Sequence, residues 1–277
     1  MGDVSAGDSA AGRGRRAAPG EPVLDRAFRI LAAFEPGRRS LSLAALSRRA
    51  GLPKPTALRL ARKLVQWGAL ERAANGEYVI GLRLLEIASL APRGHGLRAA
   101  ALPYLEDLHH ATGQHVLLAV RDGHEAVLIE RLSARDAGPV LYRVGGRMPL
   151  HSTGVGLVLL AHAPVVVQDE VLGGDLARQP TDGRAGGGAG GRAVGPGLRA
   201  LLAAVRRDGV AVVSRPAPES VTSVAALIRD AAGAPVAALS VVAPSDRVDA
   251  AGARAAVVAV ARAASRAVAE GGVAAGG

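Results

Sequence analysis

Eight cationic side chains lie between Pro36 and Leu70, a stretch in which the sequence has no acidic residue. These cations are Arg38, Arg39, Arg48, Arg49, Lys54, Arg59, Arg62 and Lys63. A solvated surface usually mixes both signs of charge, so a run of one sign favours a polyanionic partner. Arginine suits such a partner because its guanidinium group donates to phosphate oxygens and to the O6 and N7 atoms of guanine. We therefore expect this stretch to contact the backbone and bases of double-stranded DNA.

A weaker signal, for enzyme chemistry, comes from His151 and Ser152, a residue pair that a hydrolase could use. Ser152 is not in a Gly-x-Ser-x-Gly turn, however, and no acidic partner is identifiable. The run Gly154-Val155-Gly156 lacks the third glycine and the following acid of a dinucleotide-binding loop. We expect no catalytic residues and no cofactor. A small-molecule hydrolase or transferase with an appended DNA-binding domain is the alternative function.

Metal binding has little support in the sequence. His109, His110 and His115 are close together, but adjacent histidines on a helix point in different directions and no carboxylate is spaced to join them. The chain has no cysteine, which excludes a disulfide framework, a thiol nucleophile and a thiolate metal site. We therefore expect no metal site.

The charge and composition of the whole chain fit a DNA-binding protein. The 277 residues include 34 Lys and Arg against 24 Asp and Glu, which gives a formal net charge of +10. Seven of those ten charges come from the residues up to Ala91. No apolar run reaches the roughly 18 to 20 residues of a spanning helix, and the N-terminus lacks the apolar core of a signal peptide. We expect a cytoplasmic protein of two domains with no membrane partner.

Three helices and a hairpin are predicted to position the cations. Helical spacing of apolar residues predicts helices over residues 22–35, 42–50 and 53–68, and the third has one apolar and one basic side. Asn75-Gly76 then lies between two short strands, a strong hairpin signal. This order is that of a winged helix-turn-helix. We expect the aromatic residues of this region to fill its small core: Phe28, Phe34, Trp67 and Tyr78.

The winged helix-turn-helix arrangement gives each polar group an expected contact. Thr56 and Arg59, on the outward side of the third helix, would reach the floor of the major groove. Asn75, at the tip of the wing, would touch the adjacent minor groove. The other cations would meet phosphates and set the register of binding: Arg48, Arg49, Lys54, Arg62 and Lys63. A helical bundle with a solvated basic side and a nucleoid protein without sequence preference are the alternatives to operator recognition.

Beyond residue 96, helices and strands interleave without a strict strand-helix-strand rhythm, which predicts an α+β fold. The expected helices cover residues 97–112, 153–161, 164–172, 198–208 and 249–270. The expected strands cover residues 115–120, 126–132, 210–214, 224–228 and 236–242. Residues 183–197 are glycine-rich and predict a flexible loop. Residues 1–20 predict a disordered tail, whose arginines would add non-specific DNA affinity or form a minor-groove arm.

Five runs of the sequence resemble the IclR family of bacterial transcriptional regulators. Leu41–Leu60 and Tyr78–Leu85 are similar to the DNA-binding domain and linker of that family. Arg147–Gly156, Arg206–Val212 and Ala234–Ser240 are similar to blocks of its effector domain. The runs occur in the family's order and extend over most of the chain.

The resemblance implies a domain organisation and a mode of action. It implies a winged helix-turn-helix domain over residues 21–80, a linker helix over 81–95 and a GAF-like effector-binding domain over 96–272. It also implies a homodimer or a dimer of dimers that represses or activates catabolic operons in response to a small organic effector. We expect a repressor whose operator affinity is modulated by that effector.

Motif positions in the resembled family place the effector among seven residues: Val140, Gly154, Val155, Val213, Ser223, Ser240 and Val242. Val213 and Val242 stand where polar groups are common in carboxylate-sensing members, and Ser220 and Leu227 stand where the family usually has Gly and Pro. A pocket lined by valine and small residues favours a ligand whose apolar bulk is held by one or two hydrogen bonds. We expect a mostly apolar effector, such as an aromatic acid or a lactone-like signal, rather than glyoxylate or pyruvate.

Overall fold

The computed structural model describes residues 20–135, 142–173, 196–215, 220–247 and 249–272. The chain divides into two compact units, Met1–Leu90 and Ala91–Gly277. The predicted tail over residues 1–20 lies outside the described residues except for Gly20. The predicted loop over residues 183–197 lies outside them except for its last two residues, which belong to a helix. In the described part, no helix is long and apolar enough to cross a membrane.

The first unit combines helices with a small antiparallel sheet. Its helices are α1 (Val23–Leu31), α2 (Leu43–Ala50), α3 (Lys54–Trp67) and α4 (Leu82–Ala88). Its strands are β1 (Ser40–Leu41), β2 (Leu70–Arg72) and β3 (Tyr78–Ile80), in the order β1-β3-β2. The three helices and the hairpin predicted from the sequence are confirmed. The short strand β1 was not predicted, because its two residues carry no periodic signal of their own.

Local sequence explains the turn between α2 and α3. Ser42 caps α2, since its hydroxyl accepts a hydrogen bond from the backbone N–H of Ala45 at 3.2 Å. Gly51 adopts a left-handed conformation with φ of 60°, which ends α2 and turns the chain toward α3. Pro55 lies in the first turn of α3, where the missing N–H has no intrahelical acceptor to lose. These residues fix the angle at which α3 leaves α2.

The core of the first unit is aliphatic. The inner side of α3 buries Ala57, Leu60 and Ala61 in one cluster with Ile30 of α1 and Leu46 of α2. Small residues on α3 allow the three helices to approach closely, and the burial of its inner side fixes which residues face outward. The helix-turn-helix is therefore held by packing rather than by its surface charges.

The aromatic residues depart from the prediction that they fill this core. Tyr78 is buried and Phe34 is half-buried, but Phe28 and Trp67 expose 62% and 54% of their surface. Helical spacing places Trp67 on the apolar side of α3, yet the aliphatic core is complete before this last turn of the helix. The two exposed rings leave an apolar surface on the first unit.

The second unit is built on a six-stranded antiparallel sheet in the order β6-β5-β4-β9-β8-β7. Its strands are β4 (His115–Asp122), β5 (Glu125–Leu132), β6 (Arg147–Pro149), β7 (Val210–Arg215), β8 (Val221–Arg229) and β9 (Pro235–Pro244). Its helices are α5 (Leu97–Thr112), α6 (Gly154–Ala161), α7 (Val165–Gly173), α8 (Pro196–Asp208) and α9 (Ala250–Glu270). Each helix and strand predicted for this half is confirmed. The short edge strand β6 was not predicted.

Helices cover both faces of this sheet. One face packs in a cluster with α5 and α9, and the other in a cluster with α6, α7 and α8. The central strands β4 and β9 are buried along most of their length. Their sequences are accordingly runs of Val, Leu and Ala instead of alternating apolar and polar residues. The α+β architecture predicted from the sequence is therefore confirmed, as an antiparallel sheet with helices packed on both faces.

Within the linker assigned to residues 81–95, the sequence predicts a helix over Gly81–Leu90 and a break over Pro92–Gly96, and the structure confirms both. The helix α4 ends at Ala88, and a π-helical turn at Pro92–Gly96 leads directly into α5. Proline disfavours helical backbone at the residue before it. Ala91 is accordingly extended, with φ of −73° and ψ of 114°. The sequence signal for this break is therefore Pro92 itself.

Gly81 is expected to tolerate no side chain, because a Cβ at this position would overlap the carbonyl oxygen of Gly68. We expect Gly81→Ala to lower the free energy of unfolding of the first unit by about 1 to 3 kcal/mol, the usual cost of overpacking. Urea unfolding followed by the fluorescence of Trp67, the single tryptophan, measures this loss. Gly37→Ala is the control, since nothing lies within 4 Å of its Cβ position. Equal losses in both variants would contradict the prediction.

Candidate nucleic-acid interface and ligand-binding face

The outward side of α3 carries a continuous basic surface. Lys54, Arg59, Arg62 and Lys63 are exposed on it, and Thr56 is half-buried among them. We call these five side chains the α3 basic surface. The buried residues of α3 lie on the opposite side of the helix, so the division that helical spacing predicts is confirmed. Within the described residues, these cations form no ion pair with an acid, so their donors face solvent.

Arg48 and Arg49 of α2 have different surroundings. Arg48 is exposed in the last turn of the helix. Arg49 exposes only 19% of its side chain: its Nε donates to the carbonyl oxygen of Ala33 at 2.7 Å, and its guanidinium forms an ion pair with Glu35. Arg49 thus fastens α2 to the segment that follows α1. Its placement does not support the phosphate contact expected of it, because Ala33 and Glu35 hold its Nε and one of its terminal nitrogens and the side chain is mostly buried.

The wing is ordered by its own hydrogen bonds. The side-chain oxygen of Asn75 accepts from the backbone N–H of Glu77 at 3.0 Å, and its Nδ2 donates to the Glu77 carboxylate at 3.2 Å. The Nε of Arg72 donates to the carbonyl oxygen of Gly76 at 3.2 Å, and its guanidinium lies 5.9 Å from the ring centre of Tyr78. The Asn75 amide therefore builds the turn. Arg72 is an exposed cation on the wing that sequence reasoning missed, although its place three residues before the Asn-Gly turn identifies it.

In the second unit, two cross-strand rows of mostly small and apolar side chains lie on the side of the sheet that α6 covers. The first row contains Val213, Ser223, Val242 and His115, on β7, β8, β9 and β4. The second row contains Ala211, Ala225, Ser240 and Leu117, in the same strand order. Directly paired residues of an antiparallel sheet point to the same side. We call the surface formed by these two rows the α6 face.

The start of α6 lies directly on the α6 face. A Cβ at Gly154 would overlap the hydroxyl of Ser223 and come within 3.4 Å of the Ala225 Cβ. Glycine at this position therefore lets the first turn of α6 rest against β8. Thr153 caps the helix by accepting a hydrogen bond from the N–H of Gly156 at 3.1 Å. The positive end of the α6 dipole and the N–H groups of its first turn are suited to an anionic group.

Ser240 carries a buried hydroxyl that has no hydrogen-bond partner among the described residues. The residue is only 1% exposed. Thr222, on the neighbouring strand, differs: its hydroxyl lies 2.9 Å from the hydroxyls of both Ser214 and Ser245. A buried polar group without a partner costs about 1 to 3 kcal/mol, so each one in a native protein calls for an explanation. A bound molecule that hydrogen-bonds Ser240 would supply it.

The structure brings six of the seven predicted effector residues together on or against the α6 face. These six are Gly154, Val155, Val213, Ser223, Ser240 and Val242. Val140 lies outside the described residues. The grouping joins residues that are far apart in sequence, because the sheet register aligns β7, β8 and β9.

Sequence reasoning missed three polar residues that adjoin the α6 face. Tyr142 packs against the same cluster, and burial raises the pKa of its phenol, an effect that the charge of Arg215 partly opposes. A guanidinium nitrogen of Arg131 donates to the carbonyl oxygen of Tyr142 at 2.8 Å. The Nδ1 of His115 accepts from the backbone N–H of Ala134 at 3.1 Å. Only the strand register, which the sequence does not reveal, places these residues here.

The histidines of the enzyme and metal hypotheses are held by burial or by local backbone. Burial lowers the pKa of the His151 imidazole. The Nδ1 of His109 donates to the carbonyl oxygen of Gln114 at 2.7 Å, and that of His110 donates to a carbonyl oxygen one turn back in α5 at 3.0 Å. Within the described ranges, no group of three His, Cys, Asp or Glu side chains could hold a metal ion. These two histidines therefore bond to local backbone.

Comparison with known proteins matches each unit separately. Residues 23–74 match the IclR helix-turn-helix domain, and residues 91–270 match the C-terminal domain of the bacterial transcriptional regulator IclR. A similar chain is the HTH-type transcriptional regulator XynR of Escherichia coli K12, which is 30% identical over 227 residues, 82% of this chain and 87% of the relative. The glycerol operon regulatory protein of Streptomyces griseus is 32% identical over 230 residues, 81% of this chain and 85% of the relative.

A solved structure is also similar over nearly its whole length. It is an IclR homologue from Microbacterium hydrocarbonoxydans complexed with 4-hydroxybenzoate. It is 33% identical to this chain with a TM-score of 0.79, and the match covers 89% of this chain and 99% of the homologue. Both family domains are present in the expected order, and the relatives match this chain over 85 to 99% of their own length. The chain therefore belongs to the IclR family of bacterial transcriptional regulators.

Proposed function

We propose that this regulator binds a pseudo-palindromic operator as a dimer, represses the adjacent genes, and changes its operator affinity when an aromatic acid binds at the α6 face. The observation that carries the proposal is the α3 basic surface, which is exposed and free of acids beside the α2–α3 turn. Such a helix can enter the major groove, while α2 crosses the DNA backbone. Its place of action is the cytoplasm, where the chromosome lies.

The DNA contacts divide by the position of each side chain. Arg59 and Thr56 are assigned to base edges, because they stand on the outward side of α3. Phosphate contacts are assigned to the exposed cations around them: Arg48, Lys54, Arg62 and Lys63. Arg72 and Asn75 are assigned to the adjacent groove at the wing. Arg49 is left out, since it is bonded to Ala33 and Glu35.

The proposed dimer joins the first units of two chains through their exposed apolar residues. On α1, Val23, Leu24 and Phe28 are 50%, 65% and 62% exposed, and on α4, Leu82 and Leu85 are 62% and 64% exposed. Large exposed apolar side chains on α1 and on α4 indicate an interaction surface, because isolated ones are the norm on a solvated surface. We propose that a second copy of the chain covers this surface, because a dimer also provides two recognition helices, about 34 Å apart, for two half-sites on DNA.

The proposed effector is an aromatic carboxylic acid of the hydroxybenzoate type. The homologue from Microbacterium hydrocarbonoxydans holds 4-hydroxybenzoate, and the α6 face offers this chemistry a matching surface. The N–H groups at the start of α6 and the unpaired Ser240 hydroxyl would hold the carboxylate, and Val155, Val213 and Val242 would contact the ring. Binding would change operator affinity through a coupling of about 1 to 3 kcal/mol. We assign no catalytic role to His151 or Ser152.

Arg59 and Lys63 should differ in how they affect DNA recognition. Arg59→Ala should weaken binding to the regulator's own operator by about 1 to 3 kcal/mol and relax preference at one base pair. Lys63→Ala should weaken binding to all sequences alike and reduce the salt dependence by about one charge. Fluorescence anisotropy with operator and random duplexes at several salt concentrations separates the two effects. Equal losses on both duplexes for Arg59→Ala would remove its base-reading role.

Ser240→Ala should raise stability while it weakens effector binding. Removing a buried, unpaired hydroxyl should stabilise the unliganded chain by about 1 kcal/mol, whereas the carboxylate loses a hydrogen bond of similar size. Thr222→Val is the control, because its hydroxyl already has partners and lies outside the two rows of the α6 face. That variant should lose stability and keep its affinity. Thermal melts and calorimetric titration with 4-hydroxybenzoate measure both, and unchanged affinity in Ser240→Ala would refute the assignment.

Phe28→Asp should shift the chain from dimer toward monomer, because a charge would enter the proposed apolar contact. Sedimentation equilibrium measures the change, and we expect at least a tenfold weaker self-association, roughly 1.4 kcal/mol. The matched control is Ala203→Asp, which places the same charge at an exposed position of α8 in the other unit. If both variants remain dimeric to the same degree, the α1 surface is not the contact.

A further inference from the structure

A buried carboxylate connects the sheet of the second unit to the first turn of α5. Glu130 of β5 is only 9% exposed. One of its oxygens accepts from the Nε of Arg98 in an ion pair, and the other accepts from the backbone N–H of Arg131 at 2.7 Å. Both oxygens are therefore satisfied. A buried charge held in this way has few alternative positions, because moving it away from its partners leaves it uncompensated.

The next residue in the strand reaches the opposite side of the sheet. Arg131 pairs in register with Leu117, which in turn pairs with Ser240 on the α6 face. A guanidinium nitrogen of Arg131 donates to the carbonyl oxygen of Tyr142 at 2.8 Å. Consecutive side chains of a strand point to opposite faces. Glu130 and Arg131 together therefore span the sheet, from Tyr142 beside the α6 face to α5 on the other side.

The strand is irregular at this point. The register between β4 and β5 shifts so that Leu118 pairs with Glu130 and Ala119 pairs with Leu128, which leaves Ile129 as an extra residue. The backbone of Leu128 also bonds to Gly145 and Gly146, at 2.7 and 3.0 Å, just after Tyr142. A bulge of this kind locally disrupts the ladder and re-aims the side chains beside it. The bulge thus lies between the segment containing Tyr142 and the Glu130 carboxylate.

The cationic partner, Arg98, lies near the beginning of the second unit. Arg98 is the second residue of α5, and α5 continues directly from the π-helical turn Pro92–Gly96. The turn itself is held to the sheet by Arg93, whose guanidinium donates to the carbonyl oxygen of Arg121 in β4. A displacement of Glu130 would therefore act on the part of the unit that immediately follows the boundary at Ala91.

We propose that the Arg98–Glu130 ion pair, with Arg131 and the Ile129 bulge, transmits effector occupancy at the α6 face to the start of α5. This inference rests on the proposed effector function and concerns its regulation. An effector beside Tyr142 alters the position of its carbonyl, Arg131 follows, and the bulge lets β5 shift so that Glu130 moves the first turn of α5. Arg98 and Glu130 lie on the α5 side of the sheet, opposite the α6 face, so we assign them as positioning residues for the response.

The test converts the ion pair into a neutral amide pair in the full-length chain, Arg98→Gln with Glu130→Gln. Each amide keeps hydrogen-bonding capacity, so the buried site is not left with a lone charge. The control makes the same change in an exposed pair between α8 and α7, Arg199→Gln with Asp169→Asn, whose side chains are 62% and 51% exposed. A second variant, Arg98→Met with Glu130→Leu, replaces the pair by apolar groups and serves where the amide pair destabilises the fold.

Three quantities are measured for each protein: the Kd for operator DNA, the Kd for 4-hydroxybenzoate, and the operator Kd at saturating 4-hydroxybenzoate. We expect both ion-pair variants to keep the first two Kd values within about threefold of wild type. In wild type, saturating effector should change operator affinity by about five- to 150-fold, and in the variants this change should be less than about twofold. The control should retain the wild-type change. A purely structural role would alter stability and both affinities but leave the ratio intact.

The results distinguish failure of the transmission role from failure of the proposed effector function. If wild type responds to 4-hydroxybenzoate and a folded ion-pair variant responds equally, the transmission role is wrong and the proposed function stands. If wild type binds the operator but shows no change with 4-hydroxybenzoate, the proposed effector function fails and the transmission role fails with it. Loss of the response in the control as well would show that the effect is not specific to the Arg98–Glu130 pair.

Discussion

The burial of the inner side of α3 is the constraint on which DNA recognition depends. Ala57, Leu60 and Ala61 are held against α1 and α2, and this packing leaves the α3 basic surface facing outward. The cations do not stabilise the fold, since like charges on one side of a helix repel. Their concentration is compatible with stability because the core beneath them is aliphatic and closely packed. Arg49 differs from these cations: it stabilises the fold, because it bonds to Glu35 and to the carbonyl oxygen of Ala33.

In the second unit, packing of the core likewise fixes the surface that we propose binds a small molecule. Helices on both sides of the sheet bury its central strands, and Gly154 allows α6 to lie directly on β8. That cover creates a buried surface of valine, alanine and serine, in which the Ser240 hydroxyl, buried and without a partner among the described residues, has a high cost. We propose that an aromatic acid offsets this cost by hydrogen-bonding the Ser240 hydroxyl. Glu130, paired with Arg98 on the α5 side, and Arg131, bonded to Tyr142 on the other side, then connect the two faces of the sheet.

Much of this fold could be predicted from the sequence, because helical spacing, the Asn-Gly turn and the apolar strands are local signals. The strands β1 and β6 were missed, since each is short and exists only by pairing with a partner strand. The exposure of Trp67 and Phe28 was missed because periodicity identifies an apolar side but not how much of it a core can cover. Tyr142, Arg72 and the surroundings of Arg49 depend on contacts between distant parts of the chain. The candidate effector residues were grouped by family resemblance, and the strand register supplies the physical reason why they meet.

Operator recognition by α3 is tested by selecting binding sites for the full-length chain from random duplex DNA and then measuring affinity at physiological salt. A dimer with two recognition helices should select a pseudo-palindromic site with half-sites about 10 base pairs apart, and bind it at least 10³-fold more tightly than random DNA, roughly 4 kcal/mol. Recovery of no common sequence, with equal affinity for selected and random duplexes, would contradict operator recognition. The basic surface would then belong to a nucleoid protein that binds DNA without reading its sequence.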